Sequence, residues 1–192
     1  MKLQIAYHEA KLKYIAWRQA KVRERVTDIE SGLTKLMIEC IGSSTVSWAV
    51  LEWRLDNLID TLHDNGGAAV QSTLPVSLDG KLDYLKKAVK AVIIPASHHA
   101  AINQLRDDFQ TLKTKRHDTV HGIVIYNRLQ GSFIASRTWV KKGKRLSKQT
   151  PYTVQDVIKL SNDAAKLGTR VEAIHNLIRR DLGLEDFKYP GE

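Results

Sequence analysis

The hydrophobic pattern changes its period at Gly122, and this change constrains the fold more than any other feature of the chain. Before Gly122, apolar residues recur every three or four positions, as they do in amphipathic helices. After it, β-branched and aromatic residues alternate in short runs, which is typical of strands. Gln130-Gly131 supplies one turn, and Lys142-Gly143 supplies a second if the hairpin has three strands. We therefore predict a mainly α chain, a helical bundle with a small antiparallel β-hairpin appended after the helix that ends at Gly122.

Local signals divide the helical part into segments. Ser31-Gly32 interrupts the first helical pattern, and Gly42-Ser43-Ser44 offers cap residues before the most apolar helix. Thr153-x-x-Asp156 resembles a capping box at the start of the last helix. The predicted helices cover residues 3–30, 33–41, 46–62, 82–90, 95–121 and 154–182.

The length of 192 residues suits a single domain with one core. Within residues 1–192 we predict an N-terminal helical extension at 1–42, a β-hairpin insertion at 122–150 and a last helix at 153–182, followed by a peripheral tail. No apolar run approaches the roughly 18 residues that a membrane span needs, so no membrane partner is expected. The polar N-terminus lacks the apolar core of a signal peptide, which favours a cytoplasmic location.

The basic excess is concentrated in one segment. The whole net charge of +9 can be assigned to residues 113–148, because this segment has ten basic residues and a single acid, Asp118. Such a segment favours a polyanionic partner, and nucleic acid is the expected class. The alternative is a solvated basic hairpin without a ligand. The candidate substrate-binding residues are Lys113, Lys115, Lys141, Lys142, Lys144 and Arg145.

The same segment contains the candidate catalytic motif, Lys115-Arg116-His117-Asp118-Thr119-Val120-His121-Gly122. His117 and His121 are four residues apart and share a helix face, whereas Arg116 lies about 140° from His121 around the helix. Histidine transfers protons near neutral pH, and arginine binds phosphate oxygens in a bidentate manner. Because His121 falls in the last helical turn, the helix dipole favours its protonated form, which suits a general acid.

Other interpretations of the motif remain open. A histidine pair at this spacing can bind zinc, but the sequence offers no third ligand at a recognisable spacing, so we predict neither a metal nor a cofactor. The arginine and histidine could also have a structural role at the helix end, paired with Glu52. Glu52 shares an apolar face with Trp48 and Leu55, so its carboxylate needs a partner. We predict that Glu52 ion-pairs with Arg116 or hydrogen-bonds to a motif histidine, and that Glu52 and Asp118 support the site.

Arg116-His117-x-x-x-His121 resembles the R-polar-x3-H signature of the HEPN (higher eukaryotes and prokaryotes nucleotide-binding) superfamily. The order of the surrounding features is similar too, from about Val46 to Leu182. A Trp48-Ala49-x-Leu51-Glu52 helix and a Lys81-Leu82-Asp83-x-Leu85 helix precede the motif, and a hairpin and a last helix follow it.

The resemblance implies a helical bundle that usually forms a homodimer, with two motif copies in one cleft. Many members of the superfamily are metal-independent endoribonucleases, often toxins or antiviral defence effectors, so the resemblance implies that RNA is the partner. On this basis Arg116 would hold and polarise the phosphate, His121 would be the general acid/base, and His117 would orient or assist, leaving a 2′,3′-cyclic phosphate. Toxins silenced by a nucleotidyltransferase partner typically carry tyrosine where this chain has Ile123. Members that only bind provide the alternative, a non-catalytic dimeric nucleic-acid-binding or protein-interaction module, and a cognate antitoxin or regulatory protein is a further expected partner.

Overall fold

The structure is a computed structural model of the chain. It describes the backbone of residues 2–121, 123–127, 130–141 and 143–187. Side chains are described within these ranges except at residues 2–15, 26, 29, 119–121, 123 and 141. In this part of the chain the elements are α1 (Lys2–Asp64), a short 3-10 helix (Gly67–Ala69), α2 (Leu78–Ala91), α3 (Ala96–His121), β1 (Ile123–Asn127), β2 (Ser132–Lys141), β3 (Lys144–Tyr152) and α4 (Val154–Asp181). The prediction of a mainly helical chain with a small antiparallel sheet is confirmed.

The first helix is continuous over 63 residues, so the predicted breaks at Ser31-Gly32 and Gly42-Ser43-Ser44 are wrong. At about 1.5 Å per residue, α1 is roughly 95 Å long. A glycine inside a helix costs only about 1 kcal/mol, which neighbouring turns and packing outweigh. The hydroxyl of Thr45 donates to its own helix at the Ile41 carbonyl, 2.9 Å away. Ser44, predicted to be a cap residue, is buried inside α1.

Helices α1 and α4 lie side by side and run in the same direction. Contacts between them advance together along both helices, from Ser47–Ser161 (2.9 Å, Oγ to Oγ) to Thr61–His175 (2.8 Å, Oγ1 to Nε2). Gly168 of α4 faces α1 at this interface, and a Cβ there would lie 3.1 Å from the Arg54 guanidinium. The predicted capping box at Thr153 and Asp156 is present at the start of α4, which confirms that local prediction. Beyond α4 the N-terminal part of α1 projects, and every described side chain from 16 to 28 is exposed.

Helices α2 and α3 complete the main core. Ser77 caps α2, so this helix starts four residues earlier than predicted, whereas α3 starts within one residue of the prediction. Gly122, the predicted helix stop, lies outside the described residues, but α3 extends to His121 as expected. The buried side chains of the main core include Leu51, Leu55, Leu58, Leu82, Leu85, Ile102, Leu105, Phe109, Leu160, Leu167, Val171 and Ile178.

The sheet has three antiparallel strands in the order β1-β2-β3, as the two predicted turns require. Phe133 of β2 is buried with Met37 of α1 and Val157 of α4 in a second, smaller apolar cluster. This cluster explains why residues 33–41 read as a separate apolar segment: they form the surface of α1 on which the sheet packs.

The predicted peripheral tail is in part a packing element. Phe187 lies against Trp53 and His175, with ring centroids 6.4 Å and 5.4 Å apart, and its backbone N–H donates to the Asn176 side chain. The described part of the tail, residues 183–187, therefore packs on α1 and α4. Among the described helices, none combines the length and apolar character that crossing a membrane requires.

Candidate nucleic-acid interface

Three consecutive side chains of the motif face three different parts of the protein. Successive residues of a helix point about 100° apart, so Arg116, His117 and Asp118 diverge. Arg116 lies against α1, His117 lies near the start of α2, and Asp118 faces the sheet. The end of α3 is thus a junction at which both helices and the sheet meet the motif. The side chain of His121, the predicted general acid, lies outside the described residues.

Arg116 is half-buried, and its guanidinium carbon lies 5.2 Å from the ring centre of Trp48. Trp48 is itself buried and makes an edge contact with Phe109. Its indole Nε1 donates a 2.7 Å hydrogen bond to Glu52 Oε1. A cation over an aromatic ring gains roughly 0.5–2 kcal/mol, so Trp48 restricts the position of the guanidinium.

Glu52 is half-buried on the core-facing side of α1, as its position in the sequence predicted. Its observed hydrogen bond goes to Trp48, and no direct ion pair between Glu52 and Arg116 occurs among the described contacts. The two groups are linked through the indole between them. A bond from Glu52 to His121 remains a prediction, because that histidine side chain is not described.

Lys113 and His117 lie on the side of the junction that faces α2. Lys113 Nζ forms an ion pair with Asp79 in the first turn of α2. This hydrogen bond is the main reason that the pKa of Asp79 lies below its usual value, and the charge of His117 lowers it further. His117 is exposed. The ammonium of Lys113 is therefore shared with a neighbouring carboxylate, and its salt bridge is weak enough to exchange because Asp79 is largely exposed.

Asp118 anchors the sheet to α3. It is buried at 4% exposure, and Lys148 Nζ lies 2.6 Å from its Oδ2 while Arg137 Nη1 lies 3.6 Å from its Oδ1. The Thr150 hydroxyl also donates to Oδ2, at 3.4 Å. A buried carboxylate requires such cationic partners. The only acid in the basic segment is thus neutralised by two of its basic residues, and this fixes the ribbon beside the motif.

A cleft of about 310 Å³ opens next to this anchor, between α3, β3 and the start of α4. Its lining includes Lys115, Asp118, Lys148 and Tyr152. The Tyr152 hydroxyl donates to the Lys115 carbonyl at 3.4 Å. Burial, followed by the nearby charge of Asp118, raises the pKa of Tyr152, so its hydroxyl stays protonated and remains a donor at neutral pH. A larger groove, about 800 Å³, lies away from the motif between α1 and β1.

The basic ribbon, defined as residues 137–148 of β2, β3 and their turn, contains four of the predicted binding residues, namely Lys141, Lys142, Lys144 and Arg145. Lys144 and Arg145 are exposed at the start of β3, and Lys115 is exposed at the end of α3. The side chain of Lys141 and the whole of Lys142 lie outside the described residues. The described members of the predicted set are thus on the surface, at the end of α3 and on the ribbon.

The sheet brings to this region four side chains that were not predicted as site residues, namely Arg137, Trp139, Leu146 and Lys148. In the β2–β3 register Arg137 pairs with Lys148 and Trp139 with Leu146. Directly paired residues share a face of a sheet, and every second residue along a strand returns to that face. Arg137 and Trp139 therefore lie on the same side as buried Phe133 and Ala135. The strand alternation was the available signal, but the register was needed to use it.

Within the described residues, no group of three or more histidine, cysteine, aspartate or glutamate side chains is arranged to hold a metal ion. No protein-family model matches the chain, and neither the comparison with curated proteins nor that with solved structures found a match.

Proposed function

We propose that this protein is a metal-independent endoribonuclease of the HEPN type, in which Arg116, His117 and His121 act on an RNA phosphodiester. The observation that carries the proposal is the anchoring of the basic ribbon. The ion pairs of Asp118 with Arg137 and Lys148 hold the most basic segment of the chain next to the motif end of α3. A polyanion drawn to the ribbon then meets the motif.

The proposed reaction is a transesterification within the RNA. A base removes the proton of the 2′-hydroxyl, the 2′-oxygen attacks the adjacent phosphorus, and the bond to the 5′-oxygen breaks as that oxygen takes up a proton. The products are a 2′,3′-cyclic phosphate and a 5′-hydroxyl, so atoms and charge balance without an added water. Arg116 neutralises the negative charge that develops on the phosphate, and His121 supplies the proton to the leaving oxygen. His117 orients the substrate or assists proton transfer.

A homodimer fits the divergence of the motif side chains. Arg116 is held on Trp48 while His117 is exposed on the α2 side, so one copy presents the two groups in different directions. In a homodimer, a second copy that faces the first would present the same groups from the opposite side, so that groups of both copies meet in one cleft. We extend the proposal to a toxin or antiviral defence effector controlled by an antitoxin or regulatory protein. Ile123 makes control by tyrosine modification at that position unexpected.

The test is cleavage of a single-stranded RNA in EDTA, with the product ends identified by mass spectrometry. Arg116→Ala and His121→Ala should each reduce cleavage by at least about 100-fold, within the range of one acid/base or charge-stabilising group. The matched control is Arg23→Ala, which removes an exposed arginine from the projecting part of α1. Full activity of both motif variants, or cyclic phosphate ends produced equally by all proteins, would refute the proposal.

A second candidate function is a binding module without catalysis. The packing of Arg116 on Trp48 favours it, because this contact gives the arginine a structural role that needs no reaction. This module would bind RNA in a salt-sensitive way without cutting it. Its affinity would be insensitive to His121→Ala and reduced by replacing Lys141, Lys142, Lys144 and Arg145.

A further inference from the structure

The far end of the basic ribbon carries a tryptophan that the proposed reaction does not use. Trp139 lies on the ribbon face that, nearer the base of the sheet, packs on the helices. It is half-buried, and its cross-strand partner Leu146 is 38% exposed. An aromatic ring that is partly accessible, beside an exposed aliphatic side chain, is available for contact with a flat ligand.

The tryptophan is also held in place. The Arg137 guanidinium lies 4.7 Å from the Trp139 ring centre, and Arg137 in turn pairs with buried Asp118 of α3 at 3.6 Å. This chain of contacts connects the indole to the residue that follows His117 in the motif. A ring tethered to a helix in this way loses little freedom when a ligand binds.

The charge around the ring selects an anionic ligand. Residues 137–148 contain six basic side chains and no acid. Of these, Lys144 and Lys148 lie on the same face as Trp139 in the β2–β3 register. Lys144 is exposed, and Lys148 keeps 45% of its side-chain surface accessible while it pairs with Asp118. An aromatic ring flanked by several lysines and arginines is the combination used by proteins that bind single-stranded nucleic acid through base stacking and phosphate contacts.

We propose that the ribbon end is a single-strand RNA subsite, in which a nucleobase stacks on Trp139 while Lys144 and Lys148, on the same face of the ribbon, contact the flanking phosphates. Its ligand rests on the proposed function, and it adds a preference that the motif alone does not explain. In an A-form duplex the base faces are covered by neighbouring bases, so a stacking ring can engage only unpaired nucleotides. The ribbon therefore directs single-stranded segments to the end of α3.

The experiment measures binding of fluorescein-labelled oligouridine and of a matched RNA duplex by fluorescence anisotropy. The 192-residue chain carries His121→Ala so that no RNA is cut. Trp139→Ala should weaken oligouridine binding by about 5- to 150-fold, the range for loss of one base–aromatic stack, and leave duplex binding unchanged. Trp139→Phe should retain most of the affinity, whereas Trp139→Leu, which fills the space without a π-face, should not. Trp17→Ala is the matched control, because Trp17 is a 58% exposed tryptophan on the projecting part of α1.

Three results would overturn the inference: equal affinity for oligouridine and duplex, no loss with Trp139→Ala, or equal affinities of the Leu and Phe variants. Circular dichroism of each variant establishes that it is folded. The test is separable from that of the nuclease. If Trp139→Ala loses binding but the wild type cleaves no RNA, the nuclease proposal is refuted and the subsite proposal is supported. If cleavage depends on Arg116 but binding does not depend on Trp139, only the subsite proposal is refuted.

Discussion

Replacing Asp118 by asparagine separates two explanations of how the ribbon binds RNA. The change removes one negative charge from a chain of net charge +9. If binding depended on total charge alone, the variant would bind RNA more tightly. If Asp118 positions the ribbon, as its contacts with Arg137 and Lys148 indicate, the variant should bind more weakly in spite of its greater positive charge.

The size of the effect on stability follows from the burial of the partners. Breaking a fully buried ion pair costs about 3–5 kcal/mol, and losing an exposed pair costs at most about 1 kcal/mol. Asp118 has 5% of its side-chain surface exposed, Arg137 has 22%, and Lys148 has 45%. Because both cations can regain water when the carboxylate is lost, we expect a total loss of about 1–3 kcal/mol in the free energy of unfolding.

The assay combines urea unfolding, hydrogen exchange of the β2 and β3 amides, and anisotropy with oligouridine. Asp118→Asn should exchange these amides faster than the wild type and bind oligouridine more weakly. Asp83→Asn is the matched control, because it removes the same charge from an exposed position on α2. Oligouridine binding by Asp118→Asn as tight as that of Asp83→Asn, with unchanged exchange in the strands, would refute the reasoning.

The remaining predictions concern the helices. Gly32→Ala should raise the free energy of unfolding by about 0.5–1 kcal/mol, because a Cβ at Gly32 meets no atom within 4 Å and alanine favours a continuous helix; a loss of stability in urea would argue for a break there. His175 is buried, and desolvation together with the charge of Arg179 lowers its pKa from 6.5 to about 4. The unfolded chain therefore binds the proton first, so stability is complete above about pH 6.5 and falls by up to about 3 kcal/mol as the pH drops to 4. Urea unfolding of the wild type and of His175→Gln at pH 7.5 and 4.5 tests this, and an equal pH dependence of the two proteins would contradict it.

Elements defined by short-range chemistry were predictable from the sequence. The capping box at Thr153 and Asp156 satisfies backbone donors within one helical turn, so its spacing alone located the start of α4. The end of α3 and the two turns of the sheet follow from the same kind of local signal, since helix and strand periods differ. The position of the charge excess also needed no coordinates, because charge is a property of the residues.

The continuity of α1 and the surroundings of the motif were decided by tertiary structure. The cost of Gly32 and Gly42 inside a helix is small, and packing of residues 33–41 on the sheet favours the unbroken helix over the local stop signals. Glu52 accepts a hydrogen bond from Trp48 of the same helix, a contact between neighbours in the sequence. Arg116, whose guanidinium lies over the Trp48 indole, is 68 positions further along the chain.

The sequence by itself determined the fold class, the motif and the location of its positive charge, because these depend on residue identity and on contacts within a few turns. Only the tertiary structure decided that Arg116, His117 and Asp118 face three different elements and that Asp118 links α3 to Arg137 and Trp139. The physical reason is that strand register and helix packing bring together residues that are distant in the chain. Which of these distant residues pair depends on the summed energy of the whole interface, and a local sequence pattern does not reveal that energy.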